Sequence, residues 1–147
     1  MADVRESILE RLVQVVAIDG IITARRNDFE GLTDQMLPAA VVMDGDETAD
    51  DRDPKSRPAN SPRRVTMTPR VQITAMAQPE AIGTDLNTLR ARIVRAVLTD
   101  ATLLALTAES QGIRYDGLAT QFKSTRALQG DMLLMFGISY YLKPSDL

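Results

Sequence analysis

Six of the chain's 20 acidic residues fall in one ten-residue run: Asp44, Asp46, Glu47, Asp50, Asp51 and Asp53. Carboxylate oxygens are hard ligands, so the chemistry such a run could support is binding of a divalent cation such as magnesium, and through it a hydrolysis. The order DGDETADDRD lacks the glycine at position six and the glutamate at position twelve of an EF-hand loop. A solvated acidic loop is the simpler expectation. The sign of the charge then reverses, with Lys55, Arg57, Arg63 and Arg64 following the acids.

Other routes to catalysis are closed by composition. The 147 residues contain no Cys and no His, which removes disulfides, thiolate nucleophiles, Cys-based zinc sites and the commonest general acid/base. No phosphate-binding glycine loop, dinucleotide fingerprint or nucleophile elbow is present. A serine nucleophile would have no histidine beside it, and no pattern points to a Ser–Lys pair. The expectation is a protein that is not an enzyme and carries no cofactor or metal. With 17 basic against 20 acidic residues the net charge is -3, which disfavours a general nucleic-acid-binding surface. Arg90, Arg92 and Arg95 could meet phosphates, but a solvated helix face explains them as well. The N-terminus MADVRESILERL has no apolar core of a secretion signal, and no apolar run approaches the length of a membrane helix. The expected setting is a cytoplasm.

The elements that must position these residues follow from periodicity. Val4, Ile8, Leu12 and Val15, widened by Leu9 and Val16, predict an amphipathic helix, with Asp3 and Glu6 resembling a capping box and Asp19-Gly20 as its end. Ile21-Ile22-Thr23 is a candidate short strand. Residues 37–43 predict a strand with Pro38 at its start. Residues 44–62 carry three of the seven prolines and no large apolar side chain, which predicts a long charged loop at 44–63, either mobile or ordered only by a partner.

From Arg64 to Ala75 polar and apolar residues alternate strictly. Thr66, Thr68, Arg70, Gln72 and Thr74 form one face of a long strand, and Pro69 predicts an edge position or a bulge. Pairing with 37–43 makes an antiparallel hairpin. The polar face is either solvent-exposed or a wall that lines a ring or meets a neighbouring subunit. Asp85 to Leu98 predicts a second helix, capped by Thr84 or Asp85 and buried along Leu86, Leu89, Ile93 and Val97; Asp100 caps a further short helix. After a turn at Gly112 and the short Ile113-Arg114-Tyr115, the final strand, Asp131 to Leu142, has one wholly apolar face and one mixed face. Met67, Met76, Met132 and Met135 read as core filler. The sum is a single α+β domain over 1–147, a mostly antiparallel sheet of four to five strands with two main helices on one face.

This order of segments resembles the tail terminator family of long-tailed bacteriophages, the minor tail protein U type. The likeness rests on the helix VRESILERL, the strand and acidic loop LPAAVVMDGDE, the strand RRVTMTPRVQITAMA, the helices LNTLRARIVRAVLTDATLLAL, the turn GIRYDG and the closing strand GDMLLMFGISYYL. It covers almost the whole chain and rests on order and spacing. The resemblance implies a virion protein at the tail–neck junction, a self-associating ring of six subunits. That ring would stop the tail tube's growth, bind tube protein and a head-completion or neck protein, and let DNA pass through its lumen without specific binding. Asp44, Asp46, Glu47, Asp50, Asp51, Asp53, Arg63 and Arg64 would belong to its assembly loop. Another non-catalytic neck or tail-completion protein is the alternative, and a small metal-dependent hydrolase using the acidic run is the less favoured one.

Overall fold

A computed structural model describes residues 3–28, 30–50, 57–124 and 128–147. It is an α+β fold, a seven-stranded, mostly antiparallel sheet with helices packed on one face. The elements in chain order are α1 (Val4–Val16), β1 (Thr23–Arg26), β2 (Ala39–Met43), β3 (Glu47–Ala49), β4 (Arg63–Met67), β5 (Arg70–Ala77), α2 (Pro79–Thr99), α3 (Ala101–Ala105), β6 (Ile113–Ser124) and β7 (Leu128–Leu142).

Seven segments exceed the four to five strands expected because two long rails are each broken once. β4 and β5 together lie along β7. Arg63 faces Leu142, Met67 faces Ile138, Arg70 faces Met135 and Ala77 faces Leu128, so the register steps evenly across Thr68-Pro69. The period-two strand of the sequence is therefore one rail; Pro69 is not at a sheet edge and does not bulge the pairing with β7, and the expected irregularity falls in the chain facing it on the other flank. Pro69 is buried opposite Phe136 and lacks an N–H to give it, while its carbonyl accepts from the Phe136 N–H at 3.1 Å. One ladder bond of the pair is lost and the other kept.

The expected pairing of 37–43 with this strand is present: β2 runs antiparallel to β5, with Val42 opposite Val71. The hairpin then continues where a loop was expected. β3 pairs with β4, and from Met43 to Glu47 the chain takes one residue more than its partner takes from Arg70 to Met67. That extra residue is a bulge around Gly45. Gly45 has φ +71°, and a Cβ there would stand 2.0 Å from the Thr68 carbonyl oxygen. The segment 44–50 is thus bulge and strand. β1 adds in parallel outside β2, and β6 lines the other edge of β7.

Alternation decides the core. Val65, Met67, Val71, Ile73 and Ala75 join Met132, Leu134, Phe136, Ile138 and Tyr140 on the helix side, all buried. α2 lies over β5 and β7 through Ile82, Leu86, Leu89, Ile93 and Val97, and α1 lies beside it through Ile8, Leu9, Leu12 and Val16. α2 starts six residues before the expected Asp85, because Pro79 takes the first helical position, where its missing N–H has no intrahelical partner to lose. The Asp3 carboxylate accepts from the Arg5 N–H at 3.0 Å, but Glu6 does not complete a capping box; its side chain goes to Arg26. α1 ends at Val16, before Asp19-Gly20. Asp100 caps α3 as expected, through the Leu103 N–H at 2.8 Å. Ile113-Arg114-Tyr115 opens the twelve-residue β6, whose alternation is shifted by a bulge between Tyr115 and Gly117. No helix among the described residues is long and apolar enough to cross a membrane.

Gly45→Ala tests the bulge. The added Cβ meets backbone, not a side chain that can turn away, so we expect a loss of about 2 kcal/mol or more. The check is the midpoint of urea unfolding at unchanged slope.

Candidate assembly surface

Among the described residues no α-helix covers the other face of the sheet, and the polar side of the β4–β5 rail lies there. Cross-strand pairing sets each neighbour. Thr66 lies between Thr48 and Ser139, Arg70 between Met43 and Met135, Gln72 between Val41 and Leu133, and Thr74 between Ala39 and Asp131. The Thr66 and Ser139 hydroxyls bond each other at 2.9 Å. The face is not uniformly open, as the alternation alone implied. Thr74 is 4% exposed and Ala39 and Val41 are buried, where Leu32, Asp34 and Leu37 of the segment before β2 share a cavity of about 230 Å³ with Gln72, Thr74, Gln129 and Asp131.

The other end is open. Thr48, Asp50, Arg64, Thr66, Thr68, Arg114 and Ser139 line a groove of about 540 Å³. Two guanidinium groups enter it, each held from behind. Arg64 lies 3.3 Å from Glu109 and 4.0 Å from Asp50, and Glu109 also accepts from the Tyr141 hydroxyl. Arg114 bonds Asp116 at 2.7 Å and lies across Gly137, where a Cβ would stand 2.7 Å from its Cζ. Ser139, Glu109, Tyr141 and Arg114 were not singled out from sequence. They come from β6, β7 and the 108–110 turn, and only the sheet register brings them to Thr66.

The described acids of the run, Asp44, Asp46, Glu47 and Asp50, do not act as a unit. Asp44 accepts from Arg26 Nε at 2.8 Å and Nη2 at 2.9 Å, and its own N–H donates to the Asn27 side chain at 3.1 Å. Asp46 contributes its carbonyl, which accepts from the Thr68 N–H at 2.9 Å. Glu47 sits 3.8 Å from Arg5, and Asp50 faces Arg64. Asp51 and Asp53 lie outside the described residues. Arg63 closes the following turn through the carbonyls of Ser61 at 2.9 Å and Pro58 at 3.0 Å. Among the described residues, no three acidic groups gather where a metal ion could be held. Of the six described residues of the expected assembly loop, Asp50 and Arg64 border the groove, together with Thr66 and Thr68 of the strand face.

Electrostatics concentrate away from the groove. Arg26 reaches both Asp44 and Glu6, the latter with Nη2–Oε2 at 3.1 Å, and ties α1, β1 and the Gly45 bulge together. Bonding to Arg26 holds both carboxyls below their ordinary pKa values, and the Arg26 guanidinium is raised in turn, first by Asp44 and then by Glu6. Arg11 does the same across α1 and α3, with two bonds to Asp100 at 2.8 and 2.9 Å that lower its pKa. The Tyr141 hydroxyl is raised, first by its bond to Glu109.

No protein-family model matches this sequence, and no curated protein matches it. The carboxylates make their own forecast. Glu6, Asp44 and Asp100 have lower pKa values folded than unfolded, so the unfolded chain takes up their protons first as pH falls. Their contribution is complete above the unfolded values, near pH 4, and drains away as pH drops through the folded ones. Melting temperature should fall steeply below about pH 4, and Arg26→Ala should both lower the plateau and flatten that descent. Equal slopes for the two proteins would refute the assignment.

Proposed function

We propose that this protein is a structural virion subunit, a tail terminator that forms a homo-oligomeric ring of six copies at the tail–neck junction. The ring caps the tail tube, ends its polymerisation, meets a head-completion or neck protein, and lets DNA pass without specific binding. The observation that supports this best is the half-covered sheet. A groove of hydroxyls and backed-up arginines lies open on the helix-free face, where a docking surface is needed and a reaction centre is not evident. The segments that carry the likeness to tail terminators fall on α1, the β2–β3 rail, the β4–β5 rail, α2 with α3, the start of β6, and β7. The reading as a metal-dependent hydrolase is weakened by the dispersal of Asp44, Glu47 and Asp50 among three different arginines.

Light scattering with and without tail-tube protein, followed by imaging, tests it. Six-membered rings that bind tube ends support the proposal; a chain that stays monomeric and ignores tube protein overturns it. Thr68→Arg, an exposed change in the groove, should weaken ring or tube association by at least about tenfold, near 1.4 kcal/mol, while thermal stability stays nearly unchanged.

A further inference from the structure

The outer edges of the sheet differ. β1 spans four residues and carries Arg25 and Arg26, and β3 spans three and carries Glu47. Such edges are short and charged, which discourages pairing with another strand. β6 is twelve residues long, and among the described residues it pairs only with β7, so its outer edge has no partner strand.

The first half of β6 carries protective devices: the charges of Arg114 and Asp116, and the bulge that ends at Gly117 with φ +131°. Between Gly117 and Lys123 there is none. Leu118-Ala119-Thr120-Gln121-Phe122 contains no charge, proline or glycine, and its register against β7 is unbroken, from Leu118 opposite Leu134 to Phe122 opposite Gly130. Ala119, Thr120, Gln121 and Phe122 are exposed, and Phe122 is one of the few large apolar side chains left so, at 50%. Its ring edge covers the bare backbone of Gly130, where a Cβ would stand 3.2 Å from its Cδ1.

We propose that this edge binds a second copy of the same chain, β6 against β6, antiparallel about a two-fold axis at Thr120. The segment is complementary to itself in that register. Thr120 faces Thr120, Ala119 faces Gln121, and Leu118 of each copy faces Phe122 of the other on the helix side of the sheet. Directly opposed aliphatic and aromatic side chains are favourable cross-strand pairs, and no like charges meet. The pairing supplies partners to edge N–H and C=O groups, covers Phe122 in both copies, and makes one sheet through two subunits. It is separate from the ring reading, since a cyclic ring joins unlike surfaces and a two-fold pair joins like ones.

The chain has no cysteine, so Thr120→Cys places a sole thiol on the axis. Opposed Cβ atoms in an antiparallel pair lie close enough to bridge with small movement. Under mild oxidation at micromolar protein, the expected result is a disulfide-linked dimer, formed at least about tenfold faster than with Arg95→Cys on the exposed face of α2. Phe122→Lys in the otherwise unchanged chain should halve the particle mass by light scattering without loss of secondary structure. Cross-linking of Thr120→Cys no faster than that of Arg95→Cys, or a mass that Phe122→Lys leaves unchanged, overturns the proposal. Six-membered rings without the Thr120 cross-link would overturn the two-fold pair and leave the ring standing.

Discussion

The pairing of β7 with the β4–β5 rail is the constraint from which the rest of the fold follows. Over fifteen residues, Leu128 to Leu142, β7 meets Ala77 back to Arg63 without a slip. A slip of one residue would turn one strand's whole apolar set, Val71 and Ile73 of β5 or Leu134 and Phe136 of β7, from the helix side to the open side, so burial fixes the register at many points at once. With that frame set, β2 and β3 can add only on one flank and β6 only on the other. The helices then have a single apolar face to cover. Pro69 shows how firmly this register is held, since a missing donor in mid-rail breaks the ladder locally and leaves the pairing with β7 in step.

The N-terminal third is tied on differently. β1 is four residues long and half-buried, and α1 meets it and β2 from the helix side. Arg26 bridges these parts by bonding Glu6 of α1 and Asp44 at the bulge. The side chains of Arg26 and Asp44 are each about one quarter exposed, so solvent screens the pair less than a fully exposed one. The pair's role is positional as well as energetic: it sets where the chain leaves β2 and enters the Gly45 turn. Removing either partner would leave the other half-buried and less well bonded, which costs more than the pair contributes when intact.

Much of this architecture was legible in the sequence, and the parts that were not share a cause. Strict alternation from Arg64 to Ala75 and along Asp131 to Leu142 identified the two central rails, because each buries one face against helices. The stripes of α1 and α2 were equally plain. β6 was mostly missed since a bulge at Asp116 breaks its period, and its exposed half offers Ala, Thr and Gln where a buried strand would offer Val or Ile. The start of α2 was missed because Pro79 and Gly83 resemble breakers. The acidic run reads in sequence as one solvated loop, yet Asp44, Glu47 and Asp50 each answer to a residue far away in sequence, Arg26, Arg5 and Arg64. Composition marks charge, but only the register of a sheet says where the charge points. The same holds for the groove, where Thr66 and Thr68 were visible as one strand's polar face while Ser139 and Arg114 were not.

The open half of the sheet has a property that bears on reversible association. A face lined by Leu or Val would have to be covered at all times, and would bind a partner permanently or aggregate. Here the Thr66 and Ser139 hydroxyls satisfy each other, Arg64 rests on Glu109 and Asp50, and Arg114 rests on Asp116. Each group has a partner within the chain while the face is wet, so the uncovered state carries little penalty. A docking partner must offer matching donors and acceptors, and it gains affinity from shape and charge more than from area. Ala39 and Val41 on the same face are buried, at the end where the 32–37 segment borders Gln72 and Thr74. A sheet face whose open end is hydrogen-bonded within the chain, as here, needs no permanent cover.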